Sequence, residues 1–319
     1  MDIQYLLFLQ DFRNSVNDAL TPLMEWISKA AVDYLILFPI FYYWACDKKK
    51  GLYVLVSYYF CILVNSIVKL TACVYRPWIR DARILPAGDS IRTATSYSFP
   101  SGHTLTAAPL AGGMAVNLWQ EKRTRVFSVL FAIFILLTMF SRNYLGVHTP
   151  QDVLVACLIS IVSLFGTAKL FKYLGEHPEK EDLILLCGFV VCWISILYIT
   201  VKSYPMDYNE SGKLIVDPKK MMNDGYGDIG KAMGFIIARF VEKKWIKFKN
   251  PKLTVKIVIL CLVGLAIMIP IKTYFRPVLT SAFGSHWGKL IFSVIYAFYS
   301  IAFFPLVLKL YGNEKKNGY

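Results

Sequence analysis

Residues 141–172 read SRNYLGVHTPQDVLVACLISIVSLFGTAKLFK. The segment 153–172 is a nearly uninterrupted apolar run, and about 20 such residues form a helix that crosses a hydrocarbon core. Thr149-Pro150-Gln151-Asp152 opens it as a helix start, with Thr149 as N-cap, Pro150 at the first helical position and Asp152 at the third. The mouth of this helix carries Arg142, His148 and Asp152, an unusual load for a membrane edge.

Comparable apolar segments recur on both sides. The spans expected are roughly 26–46, 51–70, 103–120, 126–140, 153–172, 183–201, 226–241, 253–272 and 287–309, which predicts an all-α, polytopic membrane helix bundle of about nine transmembrane helices. Segment 226–241 is short and carries Lys231 and Arg239, but Gly230 and Gly234 have the spacing of a close helix-packing motif. Residues 3–20 read as an amphipathic helix lying in the membrane interface. Composition agrees: 56% of residues are hydrophobic and the mean hydropathy is +0.48. Met1 to Asn17 lacks the basic start of a cleavable signal, so targeting is expected from the spans themselves.

Lys172 to Asp182 is the clearest linker. It divides residues 1–175, a helical core holding every polar motif, from residues 176–319, an accessory transmembrane half with no catalytic signal. The formal net charge of +14 accompanies no nucleic-acid motif and reads as loop charge. Placing Asp47–Lys50, Glu121–Arg125, Lys169–Asp182, Glu242–Lys256 and Lys309–Tyr319 inside concentrates 18 Lys/Arg in 49 residues. That orientation puts the motif loops on the extracytoplasmic face and the C-terminus in the cytoplasm. The seven cysteines have no metal-type spacing and read as small packing residues.

Three polar motifs share that outer face. Lys69 and Arg76-Pro77 close the second span, and the helix is expected to break near Tyr75 so that both cations reach one ligand. Pro100-Ser101-Gly102-His103 opens the third, where an N-cap serine and a glycine make a helix N-terminus suited to an anion. Ser141-Arg142 to Asp152 adds a forked cation and a His–carboxylate pair. Three cations answer a phosphate dianion. An imidazole oriented by a carboxylate can attack it, and a second imidazole can supply the proton for the leaving group.

Together these motifs resemble the signature of the type 2 phosphatidic acid phosphatase superfamily, over residues 51 to about 172 and without departure in spacing. That superfamily includes lipid phosphate phosphatases, polyprenyl diphosphate phosphatases, glucose-6-phosphatases and vanadium haloperoxidases. The resemblance implies that Lys69, Arg76 and Arg142 bind phosphate with help from Ser101 and Gly102. It also implies that His148 forms a phosphohistidine, Asp152 orients it and His103 is the leaving-group acid. No metal or other cofactor is expected, because Lys and Arg already neutralise the transferring group.

The expected protein is therefore an integral phosphatase of a bacterial cell membrane acting on a lipid phosphate. Phosphatidic acid, phosphatidylglycerol phosphate and a polyprenyl diphosphate all suit a site open to the bilayer. A sugar-phosphate phosphatase, a lipid phosphotransferase and a non-catalytic phospholipid binder or transporter are the alternatives. The partners expected are the bilayer and a phosphorylated lipid or small phosphate ester, with no nucleic acid. Arg80, Arg83 and Arg92, in the loop from Trp78 to Phe99, read as solvated charges near the lipid surface, with a second phosphate grip as the sharper alternative.

Overall fold

The computed structural model describes residues 2–94 and 96–317, so the last two residues of the tail assigned to the inside, Gly318 and Tyr319, lie outside the described residues. The described chain is helical, with one isolated bridge between Tyr208 and Leu214. Helix α1 (Asp2–Ser15) is followed by α2 (Thr21–Asp33), α3 (Leu37–Ala45), α4 (Lys48–Ala72) and the short turns α5 (Pro77–Arg80) and α6 (Ser90–Thr93). Then come α7 (Gly102–Trp119), α8 (Arg125–Tyr144), α9 (Pro150–Glu176) and α10 (Glu181–Val201). The remainder is α11 (Pro218–Val241), α12 (Val255–Pro270), α13 (Arg276–Phe283), α14 (Ser285–Phe298) and α15 (Phe304–Asn317).

Among the described residues, six segments are long and apolar enough to cross a membrane: Lys48–Arg80, Lys122–Tyr144, Pro150–Glu176, Pro178–Val201, Val255–Phe283 and Ser285–Gly312. Large apolar side chains such as Leu136, Leu158, Phe165 and Leu197 point outward from them, which only a lipid surround makes favourable. The protein is thus an integral membrane protein. The other three expected spans are helical but fall short of that test. Segment 26–46 is divided between α2 and α3, and α7 and α11 are diluted by glycine or charge.

Helix α11 nevertheless sits inside the bundle, packed against α14, α4 and α10. Its glycines explain how. A Cβ on Gly230 would lie 2.6 Å from the Leu290 carbonyl oxygen, and one on Gly234 would lie 2.6 Å from Val294 Cα, so only glycine lets the two backbones approach this closely.

The two halves share one core. Between α14 and α15 the chain makes a π-helical turn, Tyr299–Phe303. Wider hydrogen-bond spacing in such a turn leaves carbonyls open to outside donors. Trp44 Nε1 donates to the Ser300 carbonyl at 2.7 Å, and Tyr43 Oη donates to that of Ile301 at 3.1 Å. Tyr59 stacks on Phe235, with centroids 4.7 Å apart. At the end of the bundle away from the motifs, buried Glu242 meets Lys48 at 2.6 Å and also pairs with Arg239, which reaches Glu181 at 2.8 Å. The aromatic last span therefore does two jobs: Tyr299 and Phe304 are buried in the seam, while Phe303 faces outward.

Candidate active site

The break after the second span falls earlier than expected. Helix α4 ends at Ala72, where Cys73 takes a left-handed conformation (φ 48°), rather than near Tyr75. Arg76 is then extended, as a residue before proline prefers, and caps the turn at Pro77. This turns the Arg76 side chain back toward Lys69. Lys69 Nζ donates to the carbonyls of Tyr97 at 2.9 Å, Ser98 at 3.3 Å and Pro100 at 2.5 Å. Arg76 Nε donates to the Ser96 carbonyl at 2.7 Å and Nη1 to that of Val147 at 2.8 Å. The two cations thus brace the loop before α7 and the loop before α9.

Both later helix starts have the caps read from the sequence. Ser101 Oγ accepts from the Thr104 N–H, and its own N–H donates to the Asp152 carbonyl at 3.0 Å, joining the second motif to the third. Its side chain is therefore spent on the cap, while Gly102 lines the cavity described below. Thr149 and Asp152 form a reciprocal capping box at α9.

His148 stands at the centre. Its Nδ1 lies 3.2 Å from Asp152 Oδ2, and its Nε2 lies 2.9 Å from Arg76 Nη1. Because a guanidinium only donates, Nε2 must accept, and the ring proton belongs on Nδ1 facing the carboxylate. Burial, then the charge of Arg76, pushes the His148 ring well below its ordinary imidazole value, outweighing the opposing pull of Asp152. The resting ring is neutral with its lone pair on Nε2.

His103 is buried, and its Nε2 has no hydrogen-bond partner among the described residues. Arg142 is fully buried, donating from Nη1 to Ser28 Oγ at 2.5 Å, while its Nε and Nη2 find no partner among the described residues. Arg142 is not among the residues that line the cavity, although its charge is felt at His148. Unpaired buried donors of this kind call for a ligand, water or ion.

Lys69, Arg76, Gly102, His103 and His148 line a single cavity of 440 Å³. The sequence reading missed much of its surround. Ser98 donates to Asp152 Oδ2 at 2.6 Å, and Asn143 Nδ2 holds the His148 carbonyl at 2.8 Å. Nothing in the sequence distinguishes Ser98 from Ser96 two residues earlier. The second half also contributes lining: Asp224, Asp228 and Lys231 on α11 and Lys289 on α14. A signal for this exists in the spacing Asp224, Asp228, Lys231, which marks one polar helix face running from just before segment 226–241 into it. Arg80, Arg83 and Arg92 lie outside the cavity lining and pair with Asp2, Asp81 and Asp89. Trp78 packs near Arg76, its ring 5.9 Å from the guanidinium carbon. Among the described residues, no three His, Cys, Asp or Glu side chains gather as a metal site.

This constellation of His, Lys and Arg in a helical membrane bundle has counterparts among known proteins. Residues 50–176 match the model of the PAP2 superfamily. Undecaprenyl-diphosphatase BcrC of Bacillus subtilis (strain 168) is 30% identical over 149 residues, covering 46% of this chain and 72% of that one. Phosphatidylglycerophosphatase B of Escherichia coli (strain K12) is 42% identical over 66 residues, covering 21% of this chain. The match spans only 26% of that phosphatase's length. The undecaprenyl-diphosphatase of Sulfolobus acidocaldarius is 27% identical over 114 residues, covering 35% of this chain and 50% of that one. No solved structure matches the chain significantly. The chain belongs to the PAP2 superfamily.

Proposed function

We propose that this protein is a membrane phosphatase that hydrolyses a lipid phosphate through a phosphohistidine intermediate. The observation that carries the reading is the His148 ring, held by Asp152 on Nδ1, with its Nε2 lone pair beside Arg76 at the cavity wall. Nε2 attacks phosphorus and the bond to the leaving oxygen breaks. Lys69 and Arg76 neutralise the phosphoryl oxygens as charge moves onto them, and Arg142 adds its charge from behind the cavity wall. Arg76 exchanges His148 for a phosphate oxygen at that moment. His103, protonated in the presence of the dianion, gives its proton to the departing alkoxide. A water then gives a proton back to His103 and attacks the phosphohistidine, releasing inorganic phosphate and restoring neutral His148. Ser101 and Gly102 contribute through the start of α7, whose N–H groups face an anion.

The relatives' names, one for a phosphatidylglycerophosphate and two for undecaprenyl diphosphate, favour a lipid substrate. So does a catalytic cavity at the ends of apolar helices. In this reading residues 1–175 are the catalytic core with an interfacial α1, and residues 176–319 are an accessory half that completes the cavity. The α2–α3 pair, α7 and α11 complete a nine-span arrangement, with the site extracytoplasmic and the C-terminus cytoplasmic. The test is phosphate release by purified protein in detergent, with chelator, against phosphatidic acid, phosphatidylglycerol phosphate, a polyprenyl diphosphate and glucose 6-phosphate. Turnover of a lipid supports the reading, turnover of the sugar phosphate alone redirects it, and turnover of none sinks it. Labelled phosphate appearing on an added lipid alcohol, rather than in solution, would assign a phosphotransferase.

A further inference from the structure

The catalytic cavity is lined beyond the two histidines by a second charged group. It comprises Asp33 from α2, Asp224, Asp228 and Lys231 from α11, Lys289 from α14, and Lys272 and Arg276 around the start of α13. Three ion pairs absorb six of these seven charges: Asp33 with Lys272 at 2.8 Å, Asp228 with Lys231 at 2.8 Å, and Asp224 with Lys289 at 2.5 Å. Arg276 is left over. Its guanidinium makes no hydrogen bond or ion pair among the described residues; only its carbonyl is engaged, by Thr280.

Arg276 also has a distinctive position. With Asp33, Lys272, Lys289 and Tyr296 it lines both the catalytic cavity and a second one of 800 Å³, which lies between α2–α3 and α12–α13. It therefore stands where the two spaces meet. Arg276 lies at the outer end of an apolar span and faces both cavities with no carboxylate to neutralise it, the setting of a ligand pathway. Its planar fork matches a phosphate or phosphodiester oxygen pair.

We propose that Arg276 binds a second anionic group of the substrate, a phosphate or phosphodiester carried several bonds away from the phosphate that is cleaved. The accessory half thereby selects for lipid head groups that carry two phosphate groups over those that carry one. This inference rests on the phosphatase reading above.

The test compares phosphatidic acid, which lacks a second phosphate, with phosphatidylglycerol phosphate, which has one, in the same mixed micelles with the full-length protein. Arg276→Gln raises KM for phosphatidylglycerol phosphate about tenfold, the effect of one lost charge-assisted contact. It leaves kcat and the phosphatidic acid KM within about twofold. Arg276→Lys restores part of the loss, since the charge returns without the fork. Equal losses on both lipids, or no change on either, would overturn the assignment. The second result would make Arg276 a charge that merely reaches toward the membrane surface. Equilibrium binding of the same two lipids separates the two readings. A wild-type protein that binds but never turns over sinks the phosphatase, and Arg276→Gln is then judged on the ratio of the two affinities.

Discussion

Ser98 donates its hydroxyl to Asp152 Oδ2 at 2.6 Å, closer than the 3.2 Å separating that oxygen from His148 Nδ1. The Thr149 N–H reaches the same oxygen at 2.8 Å. The carboxylate that aims the imidazole is thus itself aimed by two donors, one from the loop before α7 and one from its own helix start. On the proposed mechanism Ser98 is a positioning residue, acting through Asp152.

Replacing Ser98 with alanine should therefore lower kcat about tenfold with little change in KM, in line with the effect of removing an outer hydrogen bond from an oriented ligand. Steady-state phosphate release checks it. A variant with wild-type kcat would show that the capping box alone holds Asp152.

The two imidazoles should fail differently. On the proposed mechanism His148→Ala removes the attacking atom and should abolish turnover and phosphoenzyme alike. His103→Ala leaves attack possible on a good leaving group, so an aryl phosphate should rescue the first step and phosphoenzyme should accumulate. Asp152→Asn should cost about 10³-fold or more, by analogy with other orienting carboxylates. Acid-quenched labelling, read beside steady-state rates, distinguishes the three.

Burial and the Arg76 charge hold His148 below the ordinary imidazole range. The sign follows directly: a lowered pKa keeps the ring neutral, and so reactive, as pH falls. The acid limb of kcat/KM should lie below about 6.5, the usual histidine value. Arg76→Gln removes one of the two causes, so its residual activity should show that limb moved upward. A wild-type limb at or above the ordinary value contradicts this arrangement.

Gly234 tests the packing of the accessory half. A larger side chain there must displace the α14 backbone, so Gly234→Leu should destabilise the protein by about 1–3 kcal/mol and lower its melting temperature in detergent. A Cβ added to Gly166 on α9 would meet nothing within 4 Å among the described residues, so Gly166→Ala should be neutral or slightly stabilising.

Much of this arrangement is legible because it is local. The caps at Ser101 and Thr149 follow from residue order, and the membrane setting follows from run length and composition. What is not legible depends on contacts distant along the chain. The choice of Ser98 over its neighbours is made where one loop happens to pass Asp152. The division of segment 26–46 occurs in an apolar stretch, Tyr34–Ile36, that has no proline or glycine to announce it. The polar face of α11 looks like a weakness in a span because its ion-pair partner Lys289 lies 65 residues away. Residue order presents Arg142 as a phosphate ligand, and the fold buries it beside Ser28 with two donors still open.

The π-helical turn at Tyr299–Phe303 bears on any effort to shorten this protein. Two of its buried carbonyls are closed by indole and phenol groups from α3, far away along the polypeptide. Cutting after α9 would strand those donors in hydrocarbon and strip Tyr59 of the ring it stacks on. A shortened chain obtained by simple deletion would begin life with an open flank, so miniaturisation here demands redesign of α3 and α4 rather than a stop codon.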